Sequence, residues 1–309
     1  LGVVVAFRRG GWWARLATGL GALVLLVLSL YVVGQAVAAT NVPSTELRDE
    51  TPGDRGLDHR EVEVPTEDGV TLSGWYVPSR NGAAVLLRHG AGSTRSNVLD
   101  HAEVLAGHGY GVLLVDARGH GRSGGRAMDF GWYGDDDVRA GVSFLLEQDD
   151  VDAGAVGVLG LSMGGEEAVG ALAADDRIRA VVAEGVGQRV AEDKEWLVDE
   201  YGWRGRVQVW IDHAMYGLTD LLTDAGPPTP MRRAIGGSTA AVLLIAGGDE
   251  PGETEVAEHL ASASPGRVEV WTVPGAGHTG ALDTAPQEWE RRVVELFDAA
   301  LLDGDAARS

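Results

Sequence analysis

Gly160-Leu161-Ser162-Met163-Gly164-Gly165 is the stretch of sequence that decides the fold. It follows the apolar run Ala155 to Leu159, which is typical of a buried strand, and precedes Glu166 to Ala174, which is rich in helix-forming residues. A G-x-S-x-G run between a strand and a helix predicts a nucleophile elbow, a sharp turn that exposes a serine hydroxyl. The pattern alone is weak in a chain with 45 glycines among 309 residues, so the interpretation depends on partners for Ser162.

A serine nucleophile needs a general base within hydrogen-bonding reach. Three histidines follow Ser162: His213, His259 and His278. His259 falls in a polar helical stretch and is interpreted as a surface residue, whereas His213 lies among aromatic residues, where packing or substrate contact is expected. His278 instead follows the alternating strand pattern of Val268 to Val273, in a glycine-rich turn. Since catalytic groups commonly lie on loops at strand ends, His278 is the predicted base.

The predicted acid that orients this base is Asp249. The apolar run Ala241 to Ala246 predicts a strand, and the turn after it places Asp249 at the carboxyl end of that strand. Its position between Ser162 and His278 matches the chain order of nucleophile, acid and base in hydrolases with this elbow. An aspartate is also favoured at the start of a turn, and Glu250 is the alternative acid.

Backbone amides that stabilise a developing oxyanion are expected from two places. The first is the loop after the predicted strand Ala83 to Leu87, where small residues leave the amide of Ala91 free to face the site. The second is the amide of Met163, directly after the nucleophile. His89 precedes the nucleophile along the chain, and it is interpreted as a residue that stabilises the loop.

Together these motifs resemble the α/β-hydrolase fold family of serine hydrolases over about Glu61 to Leu302. The resemblance implies an α/β fold with a mostly parallel central sheet, helices on both faces and a cap or lid insertion. It also implies a Ser–His–Asp acyl-enzyme mechanism, with the substrate left open. Two segments are similar to those of monoacylglycerol-lipase-like and serine-aminopeptidase-like esterases, namely His89-Gly90-Ala91-Gly92 and Ser162-Met163-Gly164-Gly165. The other motifs in family order are Asp116-Ala117-Arg118-Gly119-His120-Gly121-Arg122-Ser123, Asp249 and Gly277-His278.

A rival motif, G-x-G-x-x-G, occupies residues 119–124 after a predicted strand. In a dinucleotide-binding fold this turn opens directly into a helix, whose N-terminus meets the pyrophosphate. Here Gly125, Arg126 and Gly131 prolong the loop. The loop is therefore expected to line the mouth of a hydrolase pocket.

Residues 188–240 interrupt the alternation of strands and helices and are expected to form the cap. Its large side chains either pack the insertion onto the body or line a lid over an apolar acyl or aromatic substrate. They are Trp196, Tyr201, Trp203, Trp210, Met215 and Tyr216.

The N-terminal run Leu16 to Ala39 contains no charged residue and is long enough to cross a bilayer as a helix. Basic residues precede it and acidic residues follow it, so residues 1–15 are expected in the cytoplasm and the hydrolase domain, residues 61–309, outside. Residues 40–60 would link the two. A cleaved signal peptide that ends near Ala36-Val37-Ala38 is the alternative, and it would release a secreted domain. The flanking charges are Arg8, Arg9 and Arg15 before the run, and Glu46, Asp49 and Glu50 after it.

Composition narrows the function further. A formal net charge of -21 disfavours binding to nucleic acid, and the lack of cysteine excludes disulfides and thiolate metal sites. No metal or cofactor motif is found, so none is expected. The sequence predicts a membrane-anchored serine hydrolase acting on a small-molecule ester, thioester or amide. An acyltransferase with the same residues and a non-catalytic hydrolase-fold binding module are the alternatives.

Overall fold

An eight-stranded β-sheet forms the centre of the computed structural model, which describes residues 11–126 and 128–302. The spatial order is β1-β2-β4-β3-β5-β6-β7-β8, with β1–β2 and β2–β4 antiparallel and all other neighbours parallel. This confirms the predicted mostly parallel sheet. The strands are β1 Arg60–Pro65, β2 Thr71–Val77, β3 Ala84–Arg88, β4 Gly111–Val115, β5 Val156–Leu161, β6 Ile178–Glu184, β7 Ala241–Gly247 and β8 Val268–Val273.

The central strands are buried on both faces because helices cover the sheet on both sides. Every residue of β3, β4 and β5 is buried, which explains why their sequences are apolar apart from Arg88, whose charge is paired with Glu167. The helices of the hydrolase body are α2 Leu99–Gly107, α3 Gly134–Leu146, α4 Met163–Ala171, α7 Met231–Gly237, α8 Glu253–Ala261, α9 Ala281–Thr284 and α10 Pro286–Phe297. Helices α3, α4, α7 and α8 share one apolar core with the sheet, and α2, α9 and α10 share the other.

Residues 188–240, predicted as a cap insertion, lie between β6 and β7, and their last helix, α7, packs in the core of the body. The insertion contains a short 3-10 turn at Ala191–Lys194, then α5 Trp196–Tyr201, α6 Trp203–Asp220 and finally α7. A small apolar cluster joins the insertion to the body, and Trp132, Met215 and Tyr216 are buried in it.

A long N-terminal helix, α1 Trp12–Ala39, stands apart from the sheet. Its apolar window has a mean hydropathy of 2.4 with none of its residues buried, so it is long and apolar enough to cross a membrane. Near its C-terminal end, Val32 packs against the small cluster of the insertion and Ala36 is buried. Arg8 and Arg9, on which the predicted orientation partly depends, lie outside the described residues.

Residues 40–60, predicted as a linker, follow the surface of the hydrolase body. The carbonyl of Thr45 accepts a hydrogen bond from the amide of Gly121, and Pro52 is buried. Arg55 lies within 2.5 Å of Asp100 and 2.8 Å of Glu103, both on α2. This segment therefore holds the C-terminal end of α1 close to the body.

Candidate active site

Ser162 occupies a sharp turn between β5 and α4. Its backbone angles, φ 53° and ψ -123°, are strained for a residue with a side chain, as a nucleophile elbow requires. The turn is possible only because its neighbours are small, since a Cβ at Gly160 would lie 2.1 Å from the carbonyl oxygen of Gly164. The amide of Ser162 donates to the carbonyl of Glu184, 2.7 Å away, which fixes the turn to β6.

His278 reaches this serine from the loop after β8. Its Nε2 lies 2.8 Å from Oγ of Ser162, and its ring is half-exposed. The ring fits against the end of β6 because the next residue, Gly185, lacks a side chain: a Cβ there would lie 2.9 Å from Cε1 of His278. The structure thus brings together the nucleophile and base predicted from the sequence.

The acid that contacts His278 is Glu253, not the predicted Asp249. Oε1 of Glu253 lies 2.5 Å from Nδ1 of His278, and its Oε2 accepts the amide of Gly247 at 2.8 Å. Glu253 is the first residue of α8, and only 12% of its side chain is exposed. Two contacts therefore fix both carboxylate oxygens.

The residues after β7 explain why Asp249 misses the histidine. The chain turns at residues 248–252, and the amide of Asp249 donates to the carbonyl of Ala276 while its side chain is exposed. Within the part of the chain that the structure describes, that side chain makes no hydrogen bond. Glu250, the alternative acid, uses Oε1 to accept the amide of His278 at 3.2 Å, so it holds the backbone of the base and not its ring. Glu253 lies one turn further on.

The expected oxyanion donors, the amides of Ala91 and Met163, come from the two segments that flank Ser162. Ala91 lines the same cleft as Ser162, and Met163 begins α4. Neither amide donates a hydrogen bond within residues 11–126 and 128–302. Both amides are therefore unpaired within those residues, and their role as oxyanion donors stays a prediction.

His89 holds the Ala91 loop, as predicted. Its Nε2 accepts the amide of Ala117 at 2.8 Å, so the proton is on Nδ1, which lies 2.8 Å from the carbonyl of Gly90. Burial lowers the pKa of His89 to about 3, which keeps the ring neutral. A neutral ring with both nitrogens engaged has a structural role.

The glycine-rich loop at residues 119–124 packs against Asp116 and contacts the Ala91 loop. The carboxylate of Asp116 accepts the amides of Arg95 and Arg122, and a Cβ at Gly121 would lie 2.0 Å from that carboxylate. His120 accepts the amide of Gly92 at 3.3 Å, which links this loop to the Ala91 loop. The loop does not line the cleft at Ser162, so its predicted place at the pocket mouth is wrong.

The cleft at Ser162 has a volume of about 340 Å³. It runs between the Ala91 loop, the start of α2 and the loop of His278, and its walls include Val98, Leu161 and Leu282. Asp100 and Asp283 also line it, and no lysine or arginine does so among the described residues. The lining of the cleft is therefore mainly polar with a smaller apolar part, and of its two aspartates Asp100 is paired with Arg55.

Carboxyl groups dominate the electrostatics around His278. The hydrogen bond to Glu253 raises the pKa of His278 above its ordinary value, because it stabilises the imidazolium. Glu166 and Glu184 are buried behind the elbow, and burial raises the pKa of each to about 7. Glu184 accepts the amide of Ala281 at 2.8 Å, which ties the chain after His278 to β6.

The large side chains of the insertion do not line this cleft. Met215 and Tyr216 are buried and pack the insertion onto the body, whereas Tyr201, Trp203 and Trp210 are exposed. His213 is exposed and also lies away from the cleft. His259, predicted at the surface, is partly buried and stacks on Trp196 with ring centroids 5.8 Å apart.

Comparisons with known proteins agree with the α/β-hydrolase fold. A family model described as serine aminopeptidase, S33, matches residues 79–224, which include the elbow and the Ala91 loop but neither Glu253 nor His278. An uncharacterized protein of Mycobacterium tuberculosis (strain H37Rv) is 33% identical over 223 residues, which cover 71% of this chain and 72% of that protein.

Two other similar proteins have named activities. A thiohydrolase of Aspergillus aculeatus is 35% identical over 130 residues, which span 40% of this chain and 41% of the thiohydrolase. The structure of an esterase from Pyrococcus furiosus superposes with a TM-score of 0.67 at 24% identity, and the match covers 85% of this chain and 98% of the esterase. The latter similarity shows a shared fold.

Proposed function

Since this chain belongs to the α/β-hydrolase family, in the group described as serine aminopeptidase S33, we propose that it is a membrane-anchored serine hydrolase of esters or thioesters. One observation carries the proposal: Ser162, His278 and Glu253 form a continuous chain of hydrogen bonds, 2.8 Å and 2.5 Å long, at the edge of a cleft. A nucleophile hydrogen-bonded to a base, which is itself hydrogen-bonded to an acid, is the arrangement of a catalytic triad.

The proposed mechanism begins with Ser162. Its hydroxyl attacks the substrate carbonyl as Nε2 of His278 takes the proton, and the negative charge that develops on the carbonyl oxygen is stabilised by the amides of Ala91 and Met163. Glu253 accepts the hydrogen bond from Nδ1, which holds the tautomer whose Nε2 can accept a proton. His278 then protonates the leaving alcohol or thiol, and water attacks the acyl-enzyme by the reverse pathway.

The cleft supports a small acyl substrate. The apolar side chains of Val98, Leu161 and Leu282 suit a short hydrocarbon group, and Asp283 disfavours an anionic group beside it through charge repulsion. The similarity to a thiohydrolase supports ester and thioester bonds ahead of peptides.

Anchoring by α1 is the second part of the proposal. Trp12 and Trp13 begin this helix, and interfacial tryptophans commonly mark the edge of a bilayer. Further on, α1 contacts the insertion through Val32, so a retained helix also contributes to the packing of the hydrolase domain. This contact favours a retained anchor over a cleaved signal peptide.

Turnover of p-nitrophenyl esters and of acyl thioesters by the full chain in nanodiscs tests the catalytic part. We expect Ser162→Ala to reduce turnover to background, whereas Ser93→Ala, which alters another hydroxyl in the same cleft, retains most of it. Equal rates for Ser162→Ala and the unmodified chain would refute the nucleophile. Adding alcohol or amine acceptors and identifying products distinguishes hydrolysis from acyl transfer by the same residues.

A further inference from the structure

Helix α6 of the insertion has an apolar surface that faces away from the protein. At 100° per residue, its outward apolar residues fall within an arc of about 80°. We call this set the outer stripe: Trp203, Val207, Trp210, Ala214, Gly217 and Leu221, which directly follows the helix. All six residues are exposed, Trp203 at 71% and Trp210 at 65%. The opposite side of the helix is buried at Gly205, Asp212, Tyr216 and Thr219.

An exposed apolar face opposite a buried face is unusual for a surface helix, which normally turns polar residues outward. The inner face already supplies the contacts that hold the helix on the protein. The outer stripe therefore needs a separate explanation, because exposed tryptophans in a contiguous apolar patch indicate an interaction surface.

The position of α1 places the outer stripe near a bilayer surface. If Trp12 and Trp13 mark one interface, a hydrocarbon core of about 30 Å extends for about 20 residues along the helix. That distance ends close to Tyr31, another aromatic residue suited to an interface, and Val32. Val32 packs against the cluster that contains Met215 and Tyr216 of α6.

The charges along α6 agree with this location. The chain as a whole has a formal charge of -21, yet the first half of α6 carries Arg204 and Arg206, both exposed, and no acidic residue. Arginine beside tryptophan on an amphipathic helix is typical of helices that lie at the surface of anionic membranes.

We propose that α6 is a second membrane contact, with its outer stripe inserted among the lipids of the bilayer that α1 crosses. The inference rests on the anchoring by α1 proposed above and is independent of the triad. It gives the insertion a function in place of the predicted lid: the insertion holds the hydrolase domain at the membrane surface, where esters dissolved in lipid are concentrated.

Spin labels test this contact directly, because the chain has no cysteine and each introduced one is unique. The full chain, reconstituted as one copy per nanodisc of phosphatidylcholine and phosphatidylglycerol, receives a nitroxide at Val207→Cys or Trp210→Cys. The matched control is Glu258→Cys, on the exposed side of α8. Circular dichroism establishes that each labelled variant is folded, and power saturation compares collisions with oxygen and with a water-soluble nickel chelate.

We expect the ratio of oxygen to nickel collisions at Val207→Cys and Trp210→Cys to exceed that at Glu258→Cys by at least about threefold, as for side chains inserted in lipid. Equal ratios at the three positions would overturn the proposal. So would labels that are exposed with one copy per nanodisc and shielded only when a larger nanodisc holds several copies, since a second copy of the chain would then cover the stripe. Failure of the full chain to stay with the nanodiscs would overturn the anchoring by α1 as well, whereas loss of ester turnover would bear only on the triad.

Discussion

Replacing Glu253 with glutamine tests whether this residue is the acid that we propose. One carboxylate oxygen accepts Nδ1–H of His278 and the other accepts the amide of Gly247. If the oxygen of the new carboxamide stays on Gly247, its NH2 group faces Nδ1 of His278. Two donors cannot share that contact, so the ring adopts the tautomer with a proton on Nε2 and can no longer take one from Ser162.

The alternative orientation of the carboxamide would keep the productive tautomer, but it is energetically disfavoured. It would aim the NH2 group at the amide of Gly247 and leave a backbone donor without its acceptor, at a cost of about 1–3 kcal/mol. A serine hydrolase whose acid is replaced by its amide loses about 10⁴-fold in kcat. At about 1.36 kcal/mol per factor of ten, this corresponds to about 5 kcal/mol of transition-state stabilisation.

The assay is the initial rate of p-nitrophenyl ester hydrolysis, with Asp249→Asn as the matched control. We expect Glu253→Gln to lose about 10³- to 10⁴-fold in kcat with little change in KM, and Asp249→Asn to stay within about twofold. The reasoning is refuted if Glu253→Gln retains nearly full activity while Asp249→Asn loses it. That result would require the loop after β7 to place Asp249 on His278 in the working enzyme.

The remaining predictions concern pH, the elbow and the loop that carries Ala91. His278 must be neutral to accept a proton, so kcat/KM should rise with pH through the pKa of His278. Because Glu253 raises that pKa, the rise should move to lower pH in Glu253→Gln. A pH–rate profile in which the rise stays at the same pH would contradict this. Gly160→Ala should destabilise the protein by about 3 kcal/mol or more because the new Cβ would overlap the backbone of α4, whereas Gly107→Ala, with open space around it, should be close to neutral in the same thermal denaturation experiment. His89→Ala should lower the free energy of unfolding by about 1–3 kcal/mol by leaving a backbone amide unpaired, and denaturation at neutral pH by circular dichroism measures this; an unchanged midpoint would argue against the structural role of the ring.

The sequence is sufficient for those features that depend on local pattern. Buried parallel strands are apolar throughout, and the elbow needs small residues around Ser162, so β5 and its turn can be predicted directly. The His278 loop follows a strand with clear alternation. These signals lie within a few residues of the groups that they identify.

The acid is less predictable because the conformation of a loop decides it. Asp249, Glu250 and Glu253 all follow β7 within a short stretch, and each is compatible with the chain order. The turn through residues 248–252 exposes Asp249 and directs Glu250 to the backbone amide of His278. Glu253, at the start of α8, reaches the ring of His278. A glutamate at the first position of a helix is favourable for the helix dipole, so its sequence context alone indicates only a helix start.

The insertion shows a second limit of sequence reasoning. Aromatic residues suit a packed core, a substrate lid and a membrane surface equally well. Helical spacing can separate Trp203, Val207 and Trp210 from the buried face, but only the packing of α6 against the body shows which face remains outside.

The central claim, that Ser162 is an activated nucleophile, is tested most directly by covalent labelling. The full chain in nanodiscs is treated with a fluorophosphonate, digested, and mapped by mass spectrometry, alongside Ser162→Ala and Ser93→Ala. The account predicts a single adduct on the peptide that contains Ser162, retained in Ser93→Ala and lost in Ser162→Ala. An adduct that persists in Ser162→Ala, or no adduct on the unmodified chain, would contradict it.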